Sequence, residues 1–202
     1  MWTRLRQGAA LHQTATTTAP DRYPELFAAL AARLPADARI LSFGCSTGEE
    51  LLSLRRLMPD AQLTPLEINA RARLIATACT ANDPRIEVAT TPPAGPFDAI
   101  LALAVLQREP HRVADEGWTD LSRHYPFARF DAALTALVER LAPGGLLAVH
   151  HAHYRVEDSS VADLLTPEPD APVQVPPLFD RNSRLYEPAP PSASLFVKGI
   201  RR

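Results

Sequence analysis

The residues with the clearest chemical potential lie in one turn and at one strand tip. Gly44-Cys45-Ser46-Thr47-Gly48-Glu49-Glu50 follows the short apolar run Arg39-Ile40-Leu41-Ser42-Phe43 and opens a helix. Gly44 leaves the strand where a side chain would block a ligand, and Gly48 starts the helix with its backbone accessible. Such a turn lets a ligand lie directly against main chain. Glu67 follows Gly48 by nineteen residues, at the tip of the next expected strand, where a carboxylate can accept both hydroxyls of a ribose. The spacing is Gly-x-x-x-Gly and not GxGxxG, and Glu49 and Glu50 stand where they would repel a diphosphate. Their charge suits the helix dipole, and equally a nucleoside that carries a cation.

A second constellation is His150, His151, His153 and Tyr154, at the end of another expected strand. There His151 and His153 share one face and His150 the other. Three ligands on one short segment rarely converge on a metal, so no metal site is assigned. A histidine here can take a proton from a nucleophile at neutral pH, and His151, His153 and Tyr154 are the catalytic candidates. The competing reading is a hydrogen-bonded histidine at a strand end. Cys45 reads as a small packed residue, because no base stands beside it. His111, Trp118, His124 and Tyr125 fall in a polar stretch, 107–126, that suits either a lid or plain surface packing.

The elements that must position these groups follow from periodicity. Helical spacing runs from Asp21, which can cap, through Phe27, Leu30, Ala31 and Leu34 to Pro35. Further helices are expected over 48–58, from an Asn69 cap to about Ala81, and over 127–141. Strands are expected at 39–43, 61–66, 85–89, 99–106, 146–149 and 195–197, with a short one near 173–178. The run 99–106 is apolar throughout, as in a strand buried on both faces. Strand–helix alternation of this kind predicts an α/β fold with a parallel sheet between two helical layers, and ligands outside the carboxyl ends of its strands. Residues 165–191 hold eight of the twenty prolines and read as irregular chain.

Composition narrows the partners. The chain has 202 residues, 46% of them hydrophobic, and a net charge of −2, which argues against a general nucleic-acid binder. No run approaches the length of a membrane span, and the Thr-rich stretch after the basic start is not a signal peptide, so a cytoplasmic location is expected. Two cysteines are too few for a disulfide framework. Lys198 is the lone lysine beside twenty arginines, which reads as the coding bias of a GC-rich genome and not as a binding signal; a bacterial origin is expected.

The turn, the acid and the charge pattern together suit S-adenosylmethionine, and residues 38–150 resemble a class I S-adenosylmethionine-dependent methyltransferase. Ile40 to Gly48 is similar to the family's first motif, Glu67 to the acid ending its second strand and Phe97-Asp98-Ala99-Ile100-Leu101 to its fourth strand. Leu141-Ala142-Pro143-Gly144-Gly145 resembles the turn into its fifth. The resemblance implies a Rossmann-like, mostly parallel sheet of seven strands with an antiparallel C-terminal strand, spanning 38–202 after an arm and helix over 1–37. More narrowly, Cys45-Ser46-Thr47-Gly48-Glu49-Glu50 resembles the first motif of chemotaxis-receptor methyltransferases. That implies cofactor contacts from Glu49 and from Arg22, the latter toward a carboxylate. Gly44, Cys45, Ser46, Gly48, Glu67, Ile68, Thr90, Thr91 and Leu103 complete the implied cofactor set. Ser42 departs from the acid common at its position, Thr90-Thr91 stand where an acid often meets adenine, and Leu103-Ala104-Val105 lacks the polar residues of the receptor enzymes.

The expected function is methyl transfer to a small-molecule or protein acceptor in a pocket between 103–111 and 150–154. Nothing in the sequence names that acceptor, no clamp for an acidic substrate stands out, and oligomeric state is not visible. The alternative is a catalytically inactive S-adenosylmethionine-binding module, suggested by the apolar Leu103-Ala104. A nicotinamide oxidoreductase shares the fold class but conflicts with the spacing and charge of the turn.

Overall fold

In a computed structural model, which describes His12, Ala19 and residues 21–91, 93–174 and 177–200, regular structure begins with α1, Pro24–Ala31. The rest of the expected arm over 1–20 lies outside the described residues. Pro24 occupies the first turn of α1, as its fixed φ favours, and Leu26, Phe27 and Leu30 are buried. Asp21 does not cap this helix. Its backbone is in the left-handed region, its N–H donates to Ser53 Oγ (3.1 Å) and its carboxylate pairs with Arg56. It therefore ties the approach of α1 to the next helix.

The remaining elements are β1 Arg39–Phe43, α2 Glu49–Leu57, β2 Gln62–Leu66, α3 Ala70–Thr80, β3 Phe97–Leu103, α4 Pro110–Asp115, α5 Phe127–Arg140, β4 Leu141–His150, β5 Leu165–Pro167 and β6 Leu195–Lys198. Asn69 caps α3 as expected, its Oδ1 accepting from Arg71 N (3.1 Å) and Ala72 N (3.3 Å). The sheet order is β2-β1-β3-β4-β6-β5, parallel as far as β4, with β6 antiparallel to both β4 and β5. It is a Rossmann-like sheet with an antiparallel C-terminal strand.

The sheet has six strands, against seven expected, and the difference has a local cause. Residues 85–89 run parallel to β2 but form only two bridges, Leu63↔Ile86 and Leu66↔Ala89. Glu87 N donates to Leu63 O and Ala89 N to Pro65 O. The reciprocal bond from position 65 is missing because proline has no N–H, so the ladder breaks in its middle.

Two further boundaries differ from the expectation. β3 stops at Leu103 and not 106, because Ala104 turns into the left-handed region (φ 54°). β4 starts at Leu141, with a register shift between the Phe97↔Leu141 and Ala99↔Leu146 pairs that absorbs Pro143-Gly144-Gly145. Near 173–178 the described residues show only a bridge from Val173 to Ala193.

Two apolar cores flank the sheet. α1, α2 and α3 bury Leu30, Leu51, Leu54 and Ala76 with Ile40, Leu101 and Ala148. α5 buries Phe130, Leu134 and Val138 with Leu41, Ile100 and Leu147 on the other face. The strands between them are apolar on both sides, as a sheet covered by two helical layers requires.

Candidate functional site

Strand order reverses between β1 and β3, since the chain goes from β1 outward to β2 and returns to the other flank. The crevice at such a point, outside the carboxyl ends of the strands, is where a ligand is received. The turn from β1 to α2 forms its floor. Gly44 (φ 82°) donates its N–H to Leu66 O at 2.8 Å, and a Cβ there would lie 2.6 Å from Val105 Cγ2. The absent side chain thus makes room for the exit loop of β3 to close over the turn. Gly48 (φ 98°) is the N-cap of α2, and a Cβ there would lie 3.3 Å from Ala76 Cα. Cys45 is buried, and burial pushes its thiol far above the ordinary value, which leaves it unreactive.

Glu67, at the end of β2, reaches across to this turn. Its Oε2 accepts from Ser46 N (2.9 Å) and its Oε1 from Asn69 N (2.6 Å). A carboxylate has about four acceptor positions, so capacity remains beyond these bonds and that of the Ile68 N–H. Burial raises the Glu67 pKa, opposed by the N–H groups of Asn69 and Ser46 and by Arg73. Ile68 beside it is partly buried, Leu103 is buried at the end of β3, and Thr90 and Thr91 are exposed just beyond the broken edge ladder.

The two glutamates of α2 diverge. Glu49 turns its carboxylate onto Thr47 Oγ1, which donates at 2.7 Å. Glu50 instead accepts from the buried Ser42 hydroxyl at the base of the turn. Burial pushes Glu50 up to about 7, against the Ser42 bond and the charge of Arg22. Sequence reasoning missed this pair. Ser42 looked like a lost acid, whereas the acid comes from eight residues further on; the four-residue step from Glu50 to buried Leu54 was the available signal.

Above the turn stand Arg22 and Tyr23, immediately before α1. The Arg22 guanidinium lies 5.2 Å from the Tyr23 ring centre. Tyr23 OH and His151 Nδ1 are 3.0 Å apart, and burial lifts the hydroxyl to about 12. His151 is only partly buried, is held at φ 51°, and is lowered by burial and by Arg22. The other candidates at this strand end are deeper. His150 binds Ser194 Oγ (2.6 Å), and burial takes it down to about 4. His153 Nε2 donates to the Arg108 carbonyl (2.9 Å), and burial takes it to about 4 as well. Tyr154 has no exposed surface, and its hydroxyl meets Tyr125 O and Ser183 Oγ. So the structure brings His151 to the crevice and places His153 and Tyr154 beneath it. Among the described residues no three His, Cys, Asp or Glu side chains group as metal ligands, and no helix is long and apolar enough to cross a membrane.

A family model described as a methyltransferase domain matches residues 15–183. The chain belongs to the methyltransferase-domain family. Its Rossmann-like sheet is the one that the class I resemblance implies, and the glycine turn, Glu67 and the Glu50 carboxyl fit a nucleoside with a cationic tail. No curated protein matches it. Similar solved structures include coclaurine N-methyltransferase bound to N-methylheliamine and SAH (17% identity, 60% of this chain and 33% of that one, TM-score 0.43). Another is the [4+2]-cyclase SpnF (24%, 61% and 43%, TM-score 0.46). A third is SAM-bound CalS10, an amino pentose methyltransferase from Micromonospora echinaspora (23%, 65% and 50%, TM-score 0.45). The methyltransferase domain described here spans a third to a half of the length of these structures.

Proposed function

We propose that this chain transfers a methyl group from S-adenosylmethionine to a small-molecule or protein nucleophile. The observation that carries the reading is the Glu67 carboxylate, anchored on Ser46 N–H beside two positive-φ glycines at the strand-order reversal. Glu67 receives the ribose hydroxyls, and the Gly44–Ser46 main chain lies against the nucleoside. Glu50, held by Ser42, balances the ammonium in place of Glu49, and Arg22 meets the carboxylate. Ile68, Leu103, Thr90 and Thr91 border the base. The narrower likeness to receptor methyltransferases is carried only as far as this mode of holding the cofactor.

When bound, the cofactor supplies an electrophilic methyl carbon on sulfur. What the chain supplies is alignment of the nucleophile and exclusion of water. His151 is the base for an acceptor that must lose a proton: a Tyr23 hydroxyl accepting from Nδ1–H leaves the Nε2 lone pair available. His153 and Tyr154 hold the exit loops of β3 and β4 in register through Arg108 and Tyr125 and act by positioning. Leu103-Ala104, with no polar side chain at the end of β3, favours the second reading, a module that binds the cofactor without using it.

Calorimetric titration with S-adenosylhomocysteine tests the first half. The wild type binds, and Glu67→Gln, which removes a charge-assisted acceptor, loses about tenfold to a hundredfold in affinity. A wild type with no measurable affinity sinks the reading. Transfer of labelled methyl to any extract component then separates enzyme from silent module.

A further inference from the structure

His150 ends β4 beside the crevice, paired in register with Leu103 of β3. Its ring stands edge-on to Tyr23, with centroids 5.3 Å apart, and against the His151 ring at 4.4 Å. Nδ1 lies 2.6 Å from Ser194 Oγ, and among the described residues neither side chain has another hydrogen bond. Ser194 is fully buried, so water does not take its hydroxyl proton. That hydroxyl donates to Nδ1, because a buried O–H with no acceptor is costly. In a neutral imidazole the proton then sits on Nε2. The ring is neutral at pH 7: burial first, then His151 and Arg22, hold it down at about 4.

The Nε2–H itself has no partner among the described residues. It is also not one of the polar atoms closed off from solvent, so the 9% of His150 that stays open includes it. The result is a hydrogen-bond donor nine-tenths buried, fixed in its tautomer and open at its tip, at the carboxyl end of β4. The backbone that carries it is braced from outside the strand. Buried Gln174 donates its Nε2 to Val149 O (3.2 Å) and accepts from Ala152 N on Oε1 (3.4 Å), which brackets His150 and His151. Two backbone bonds, Ser194 N to Pro172 O (3.0 Å) and Gln174 N to Ser192 O (2.8 Å), join Ser194 and Gln174 into one support. The irregular, proline-rich chain after β5 thereby contributes to orienting the two histidines.

We propose that His150 is a specificity residue for the methyl acceptor: its Nε2–H donates to an oxygen carried beside the hydroxyl that His151 deprotonates. The acceptor is then a phenol or enol with a second oxygen on the neighbouring carbon. The two rings stand 4.4 Å apart, centre to centre, a separation that adjacent oxygens of one small molecule can bridge. A histidine weakened as a base by burial takes a proton from a phenol or enol more readily than from an alkyl alcohol, because closer acidities favour the transfer. As the oxygen–methyl bond forms, the sulfur–methyl bond breaks and sulfur keeps the bonding pair. The hydroxyl proton passes to His151 Nε2, and His150 keeps its own proton throughout. This deepens the methyltransferase reading and rests on it for the acceptor's role; the fixed donor rests on His150 and Ser194 alone. The two are 44 positions apart, so the sequence of the strand end does not show which ring nitrogen is protonated.

The test uses protein labelled with ¹⁵N in histidine, whose long-range ¹H–¹⁵N correlations show which ring nitrogen carries the proton, with the His150 signals assigned by His150→Gln. At pH 7 His150 is expected as the Nε2–H tautomer. With S-adenosylhomocysteine present, catechol shifts the His150 Nε2 signal saturably and binds about fivefold to tenfold tighter than phenol. His150→Asn keeps an oxygen at the place of Nδ1 for the Ser194 hydroxyl but has no donor at the place of Nε2, and it loses the preference. His150→Gln puts an amide N–H at the place of Nε2 and retains it. Neither variant changes S-adenosylhomocysteine affinity. The Nδ1–H tautomer, the absence of a saturable shift, equal affinity for catechol and phenol, or a preference that survives in His150→Asn overturns the assignment. Selective catechol binding by a protein that takes no S-adenosylhomocysteine would leave the donor standing and remove the cofactor reading instead.

Discussion

Glu50→Gln separates a pocket carboxyl from a helix-dipole ornament, because the two roles give opposite signs. Glu50 titrates near 7 in the folded chain, against an ordinary value of 4.5. Folding thus raises the pKa of an acid, so the folded state holds the proton more tightly than the unfolded one. The group imposes no cost below pH 4.5, a growing cost between 4.5 and 7, and its full cost above 7. The gap corresponds to about 3 kcal/mol at pH 8 and under about 1 kcal/mol at pH 5. Gln keeps an acceptor oxygen for the Ser42 hydroxyl and carries no charge to bury.

The variant without cofactor is therefore expected to gain up to about 3 kcal/mol at pH 8, a rise of roughly 6–10 °C in melting temperature for a chain of this size. The gain shrinks to a fraction of that at pH 5. Thermal and urea unfolding at the two pH values read it directly. If Glu50 merely complements the N-terminus of α2, Gln costs about 0.3–1 kcal/mol instead. A variant less stable at pH 8, or equally displaced at both pH values, refutes the placement. The same variant is expected to bind S-adenosylhomocysteine more weakly, since the charge that burdens the empty protein is the one that balances an ammonium.

Gly44→Ala puts a methyl group 2.6 Å from Val105 Cγ2 at a φ of +82°. Left-handed strain and overpacking together are expected to cost about 2–4 kcal/mol in denaturant unfolding, part of it returned by Val105→Ala in a double-mutant cycle. Lys198→Met removes the ammonium that donates to the carbonyls of Val138 (2.7 Å) and Leu141 (2.6 Å) at the end of α5. A loss of about 1–3 kcal/mol is expected, measured in the same way, and no change would mean that water replaces the lysine without penalty.

What was legible in the sequence was whatever rests on local chemistry. The glycine turn, the Asn69 cap, the apolar run of β3 and the acid ending β2 all depend on residues within a few positions of one another. The edge segment 85–89 was misjudged for a reason that is also local but lies on the partner strand: Pro65 removes the N–H that would have closed the ladder. The site was only half legible. Glu50 and Ser42 meet across a turn of the backbone, Tyr23 meets His151 across 128 positions, and His12 meets Tyr125 across 113. Side-chain periodicity places Glu50 on the face of buried Leu54 but carries no signal for the other two pairs. The four-residue cluster His150–Tyr154 looked like one functional unit because it is contiguous, yet strand alternation and the turn after β4 send its members to different depths.

That dispersal decides which groups can report on chemistry near neutral pH. His12, His150 and His153 all lie near 4 through burial and stay neutral above pH 6. The positive charge acting on the crevice is then the guanidinium of Arg22. The negative charge lies in Glu50 and Glu67, and of these Glu50 titrates near 7. Between pH 6 and 8 cofactor affinity should therefore rise with pH as Glu50 ionises. A rise that persists in Glu50→Gln would come from Glu67, which burial also raises, or from His151. Comparing the two pH profiles thus tells whether Glu50 is the titrating group without knowledge of the acceptor.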